Sequence, residues 1–403
     1  MRRLRNDLPY TFTPPKPRAW FRPLGIWANN ALMLRRKYQV PNLEDSGFAK
    51  VKALSQAGHA VLLAPNHADH SDPHVMTALI ARHGMRSHFM AAREVFEVSK
   101  AGAWALQSMG VFSVDRDGPD LSAIKTAITL LEKGRDPVVI YPEGEIYHHH
   151  ERLDPLHEGV ASILLKAAGR MKDGREAWLV PVGIRFHHDP AVKETFNDRL
   201  SSLEGRIGWT PKPSMAMDER IVRLGTGLLG LKEMEYLGES GRGKIQDRLA
   251  LLCEGLLSEV EARQGRDPKA TTAPERVRAQ RYRIRKRLLD AEKPATYLER
   301  TALLDDLDRV FTALQAHSYI GDYFLAEQTL DRRAETIMKL EEDLLGFPNY
   351  PTPRTARVTA GEPIAVSKML AAGELPAKGG AGELTALLER RLGELLLNPD
   401  QRA

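Results

Sequence analysis

A chain of 403 residues, 42% hydrophobic and 28% charged, has the material for a sizeable core in one large domain or two modest ones. Its single cysteine, Cys253, excludes an internal disulfide or a thiolate cluster and fits a reducing compartment. A formal net charge of +5 favours acidic partners only weakly, and no run approaches the ~20 apolar residues of a spanning helix, which leaves a protein that is soluble or sits on a surface.

The start, Met1 to Asp7, is basic but lacks the apolar stretch of a signal peptide, and Pro9, Pro14, Pro15 and Pro17 make residues 1–17 an irregular arm. In residues 18–38, Trp20, Phe21, Leu24, Ile26, Trp27, Leu32, Met33 and Leu34 alternate with Arg18, Arg22, Arg35, Arg36 and Lys37. Two readings stand: an interfacial membrane helix, or an amphipathic helix that covers the core. From about Gly47 to Phe186 strand and helix patterns alternate. Strands are expected at residues 60–64, 87–91, 110–114, 137–141 and 178–184, with helices at 75–82, 121–133 and 159–168. This order predicts an α/β fold, a central mixed sheet flanked by helices.

After Phe186 the pattern turns helical, with apolar residues at three- and four-residue spacing in 245–260, 298–314 and 325–345, and a break at Pro268 and the run Thr271-Thr272-Ala273-Pro274. Within it Arg276, Arg278, Arg281, Arg283, Arg285, Lys286 and Arg287 form a basic run. A solvated helix face explains such a run better than nucleic acid, for which no binding module surrounds it. Leu251, Leu252, Leu256 and Leu257 around Cys253 suggest a buried core thiol. A strand and turn follow at 357–364, then a closing helix at 384–397. The expected domains are an arm with a possible interfacial helix (1–45), an α/β core (46–190), a mainly helical insertion (191–350) and a return strand and helix that complete the core (351–403).

The chemistry begins where the strand at 60–64 ends, in Asn66-His67-Ala68-Asp69-His70-Ser71-Asp72-Pro73. Across this turn His67 and Asp72 can meet as a base and the carboxylate that orients it; the base then activates a hydroxyl supplied by the substrate. Alternatively Asp72 before Pro73 is a helix N-cap and His67 a turn residue, and one carboxylate can serve both purposes. His67, Asp69, His70, Asp72 and His74 also offer metal-ligand chemistry, although Asp69 stands where a H-x-H-x-D-H metallohydrolase signature needs histidine. Three later segments add to the turn: Gly110-Val111-Phe112-Ser113-Val114-Asp115-Arg116, Val138-Val139-Ile140-Tyr141-Pro142-Glu143-Gly144 and Leu179-Val180-Pro181-Val182-Gly183-Ile184.

In this order the four segments resemble the glycerolipid acyltransferase family, which includes the 1-acylglycerol-3-phosphate acyltransferases. The likeness covers roughly residues 50–190, and Arg-Val-x-x-Gly-Glu-Pro-Ile at 357–364 is similar to the family's late strand. The resemblance implies His67 as general base and Asp72 as its orienter, with direct acyl transfer from acyl-CoA or acyl carrier protein as co-substrate and no other cofactor or metal. It implies a phosphate contact for Arg116 and an acceptor-binding turn at Glu143 and Gly144, with a lysophospholipid as acceptor. The chain departs from the pattern after Gly144, where Glu145-Ile146 stand in place of threonine and arginine; Arg152, Arg93 or Lys166 is a candidate to substitute for the missing cation. His148-His149-His150 is expected to be polar loop near the site, and Gly159 to be structural. A lipid product calls for a cytoplasmic protein attached peripherally to the membrane through residues 18–38. The rivals are a metal-dependent hydrolase built on the His67 to His74 cluster and a non-catalytic lipid-binding scaffold.

Overall fold

A computed structural model describes residues 8–171, 174–376 and 379–397, so the basic start of the chain lies outside the described residues. The chain divides into two compact units. One is an α/β unit formed by residues 12–115, 120–190 and 350–397; the other is helical and formed by residues 8–11, 116–119 and 191–349.

The α/β unit is built on eight strands: β1 (Asn42–Ser46), β2 (Ala60–Pro65), β3 (His88–Ala92), β4 (Val111–Val114), β5 (Val138–Val139), β6 (Ala177–His188), β7 (Arg354–Ala360) and β8 (Ile364–Ala365). Their order is β1-β7-β6-β2-β5-β3-β4, with β8 on β6. All pairings are parallel except those of β6 with β7 and β8. The mixed sheet therefore has a parallel body, and the chain's return after the helical region adds the antiparallel β7. All six residues of β2 are buried, the near-continuous apolar run of a strand covered on both faces. Leu62, Val138 and Leu179 pack with Ala127, Leu131 and Leu164 of the helices Leu121–Lys133 and Gly159–Ala168. Each such leucine contributes about 1.5–3 kcal/mol on burial.

Several expected elements differ in extent. β5 is two residues rather than five, and the chain turns soon after it at Pro142-Glu143, where Gly144 N–H donates to the Tyr141 carbonyl. β6 runs to His188, extended by its pairing with β7 from Val182 to His188. β1, whose mixed sequence Asn-Leu-Glu-Asp-Ser alternates exposed and half-buried positions, carries too little apolar pattern to be read as a strand. Residues 22–37 are helical, and the helix widens into π geometry at Asn29–Lys37. There the buried Asn29 donates its amide N–H to the His74 carbonyl (2.9 Å), and its Oδ1 accepts from His74 Nδ1–H (2.6 Å).

Among the described residues the helical unit packs one apolar core around Leu252, Leu256, Ile284 and Val310 and another around Phe196, Leu200, Leu224 and Ile337. Cys253 lies in the first, and burial pushes its thiol up to about 11, the inert core residue its leucine neighbours imply. Much of the basic run is structural: Arg276, Arg281 and Arg285 are buried, Arg276 is bonded to Glu254 and Glu261, and Arg281 to Asp117.

Candidate active site

Asn66 fastens the end of β2 to β6. Its side chain donates to the Ile184 carbonyl (3.0 Å) and accepts the Ile184 N–H (2.7 Å), which closes the ladder and sends His67 off the strand's carboxyl end. Ligand sites of open α/β sheets lie at that end. The chain then turns into the helix Asp72–Arg82. Ser71, rather than Asp72, holds the N-cap position, and Asp72 with Pro73 opens the first turn. The aspartate thus has its side chain available for something other than capping.

That side chain turns to His67. Asp72 is fully buried; its Oδ2 accepts the Asp69 N–H (2.9 Å) and lies 2.9 Å from His67 Nδ1. With Asp72 ionised, Nδ1–H donates, so the lone pair of the neutral ring sits on Nε2. The His67 side chain keeps 15% of its surface exposed against none for Asp72: a dry carboxylate behind an accessible imidazole. The Tyr141 ring stacks on the imidazole, with centroids 4.2 Å apart and planes at 28°, and fixes its rotation from the other side.

Glu143 sits beneath this pair. Its Oε1 accepts the His67 backbone N–H (2.6 Å) and its Oε2 the Asp154 N–H (3.2 Å), so the carboxyl ties the base's own backbone to the loop after β5. Burial pushes Glu143 up to about 8, against the pull of those two N–H groups. Gly144 follows in the left-handed region at φ +74°, and a Cβ there would stand 3.0 Å from the His157 ring; only glycine suits the position.

The histidine triplet is not the polar loop that its sequence suggests. His148, His149 and His150 are all buried, because the loop folds inward around Glu143: His149 Nε2 pairs with Asp154 Oδ2 at 2.6 Å, and Asp154 in turn donates its N–H to Glu143. Polar residues are tolerated inside when they are bonded to one another. Of the three substitute cations, Arg93 is buried and paired with Glu97, Lys166 is exposed, and Arg152 lies on the loop itself, 3.5 Å from Asp154. Arg116 belongs to the helical unit, in the segment whose Asp117 pairs with Arg281 at 2.9 Å.

Three of the turn's potential metal ligands are held by different partners. Asp69 is gripped by Arg354 through both oxygens (3.1 and 3.2 Å), His74 Nδ1 by Asn29, and His67 by Asp72. Burial lowers His74 to about 4, which keeps it neutral. Glu143, His149 and Asp154 gather three ligand-type atoms within 4.8 Å, but those atoms bond to one another's segment and to the His67 amide. Sequence reasoning missed Asn66 and Arg354. Asn66 had a signal, a polar residue between a buried strand and the base; Arg354 had none, since only the return of β7 brings it here.

Residues 46–185 match the family model described as Acyltransferase. Over 93 residues the chain is 32% identical to the 1-acyl-sn-glycerol-3-phosphate acyltransferase of Streptococcus pneumoniae (strain ATCC BAA-255 / R6), a stretch covering 23% of this chain and 34% of that protein. The chain thus spans about a third of the length of the curated relative it matches. The match to the family model contains His67, Asp72, Glu143 and Gly144, and it ends before the helical region begins.

Proposed function

We propose that the acyltransferase-family domain at residues 46–185 moves a fatty acyl group from acyl-CoA or acyl carrier protein to a hydroxyl of a lysophospholipid such as 1-acylglycerol 3-phosphate. The observation that carries this reading is the 2.9 Å contact between the partly exposed His67 and the fully buried Asp72. His67 Nε2 takes the proton of the acceptor hydroxyl as its oxygen attacks the thioester carbonyl. The buried Asp72 holds the ring and stabilises the imidazolium, which is the logic of a serine hydrolase triad with the substrate's own hydroxyl as nucleophile. The new C–O bond forms as the C–S bond breaks, and the departing thiolate takes the proton back from the imidazolium. The acyl group passes directly, without an acyl-enzyme.

On this reading Arg152, on the loop braced by Glu143, is a cation for the acceptor phosphate. An acceptor screen with labelled thioesters, products read by mass, tests the reading. Transfer to lysophosphatidic acid supports it, and failure with every lysophospholipid contradicts it. Arg152→Ala is expected to raise KM for lysophosphatidic acid more than for an uncharged monoacylglycerol.

Peripheral attachment to a membrane belongs to the same proposal. Among the described residues no helix is long and apolar enough to cross a bilayer. Trp20 (70% exposed), Leu24, Trp27 (58% exposed) and Leu32 form an uncovered apolar face, extended by Trp104, which packs 6.0 Å from Trp20 and under Arg18. Aromatics edged by arginines suit the interface of an anionic bilayer. Trp20→Ser with Trp27→Ser is expected to reduce co-sedimentation with vesicles containing phosphatidylglycerol; unchanged sedimentation removes this surface from the account.

A further inference from the structure

We propose that Arg354 is a positioning residue for the His67–Asp72 pair: from strand β7 its guanidinium clamps Asp69 and balances the second carboxylate of the turn, so that Asp72 serves His67 as an anion. The proposal rests on the acyl-transfer reading for its consequence in turnover, and on geometry for the clamp itself. Antiparallel pairing sets Arg354, the first residue of β7, opposite His188, at the sheet end where β2 and β6 finish. There its side chain is 2% exposed and lies between the rings of Phe186 (4.7 Å) and Tyr350 (4.4 Å). Nη1 donates to Asp69 Oδ2, and Nη2 donates to Asp69 Oδ1, to the Tyr38 carbonyl (3.0 Å) and to Ser71 Oγ (3.4 Å). Such a two-pronged grip fixes orientation as well as charge.

Asp69 passes this constraint along the turn. Its Oδ1 accepts the N–H (2.8 Å) and the hydroxyl of Ser71, Tyr350 OH donates to its Oδ2 (3.3 Å), and its own N–H holds Asp72 Oδ2. Two buried carboxylates three residues apart repel each other, and without a cation one of them takes up a proton. The groups that face Asp72 are His67 and Asp69 from the turn, Tyr141 and Glu143 from the segment after β5, and Arg354 from β7; Asp69 additionally faces Tyr38, His148 and Tyr350. Burial would raise Asp69, but Arg354 overcomes it and holds that carboxyl well below the usual range. At Asp72 burial and the Asp69 charge push upward, and Arg354 pulls back part of the way.

Arg354→Met, Arg354→Lys and the pair Arg354→Met with Asp69→Asn test this. Two readouts are the titration of the Asp72 carboxyl carbon by 13C NMR without substrate, assigned through Asp72→Asn, and kcat and KM against pH. In Arg354→Met the Asp72 midpoint and the acid limb of kcat are expected to move up by about one unit or more, with KM little changed. Arg354→Lys is expected to recover most of the midpoint, because it restores the charge, and only part of kcat, because it lacks the fork. Should Arg354→Met fail to fold, the double variant carries the test: with both charges gone the Asp72 midpoint returns toward the wild-type value, and a midpoint that stays high overturns the proposal. A folded Arg354→Met with an unmoved Asp72 midpoint overturns it as well. A shifted midpoint in a protein whose wild type transfers no acyl group contradicts the acyl-transfer reading and leaves the clamp standing.

Discussion

In the helical unit, buried cations and carboxylates meet as partners: Arg220 with Glu204 (2.7 Å), Arg199 with both oxygens of Glu341 (2.7 Å each), Arg248 with Glu233 (2.6 Å), and Arg276 with Glu261 (2.8 Å). In the turn of the α/β unit, Asp69 and Asp72 lean on a single guanidinium, and the carboxyl of Glu143 is held by backbone N–H groups. The contrast separates charge used for structure from charge kept for chemistry. In the matched pairs the guanidinium holds the carboxyl in its charged form, Glu233 by the hydrogen bonds of Arg248 and Glu204, against its burial, by those of Arg220, both below the usual range; the turn instead carries surplus negative charge in a dry place, and burial pushes Asp72 and Glu143 upward. Perturbed groups gathered behind an accessible histidine are what a proton-transfer site needs.

The comparison can be broken at either end. Asp72→Asn keeps the shape of the turn but removes the charge that stabilises the imidazolium, so kcat is expected to fall by about 10²- to 10⁴-fold with the fold intact by circular dichroism. Arg220→Met, in the helical unit, leaves Glu204 buried without its main cation and is expected to cost about 3–5 kcal/mol in urea denaturation, whereas Arg220→Met with Glu204→Leu recovers most of the loss. Near-equal stability of Arg220→Met and wild type would dissolve the distinction drawn here.

The pH dependence sharpens it. The proposed mechanism requires ionised Asp72, whose carboxyl is raised by burial and the Asp69 charge, so the acid limb of kcat is expected above the ordinary carboxylate range near 4. A limb at or below that range contradicts the electrostatics of the turn. A second pH effect belongs to Glu143. Its folded carboxyl titrates at about 8 against an ordinary 4.5, so the folded state binds the extra proton between those values, and stability falls as pH rises through that window. Glu143→Gln removes the titration and is expected to flatten this part of the stability profile; an unchanged slope would show that the carboxyl is not displaced.

Much of the α/β core was legible because its signals are local. Leu121–Lys133 and Gly159–Ala168 show helical periodicity with clear ends, and the apolar run of β2 stops at a polar residue as a buried strand must. His67 and Asp72 were legible for the same reason: five residues and one turn bring them together. Long-range pairing was not legible. β7 places Arg354 beneath a turn 285 residues away in sequence, and no local pattern distinguishes that arginine from a surface one. The histidine triplet misled by composition, since three successive imidazoles read as solvated until the inward fold of the loop supplies their partners. The basic helix misled in part the other way: Arg276 and Arg281 serve as internal ion-pair partners, which a charge count along the sequence cannot reveal.

The central claim is that His67, held by Asp72, deprotonates an acceptor hydroxyl for direct acyl transfer from a thioester. The most direct measurement follows release of free thiol and formation of acylated lipid together, with labelled acyl-CoA or acyl carrier protein and lysophosphatidic acid, for the purified wild-type protein and for His67→Ala. The account predicts stoichiometric thiol and lipid product from the wild type, and a loss of both by about 10²- to 10⁴-fold in a folded His67→Ala. Wild-type rates in the folded His67→Ala variant would contradict it.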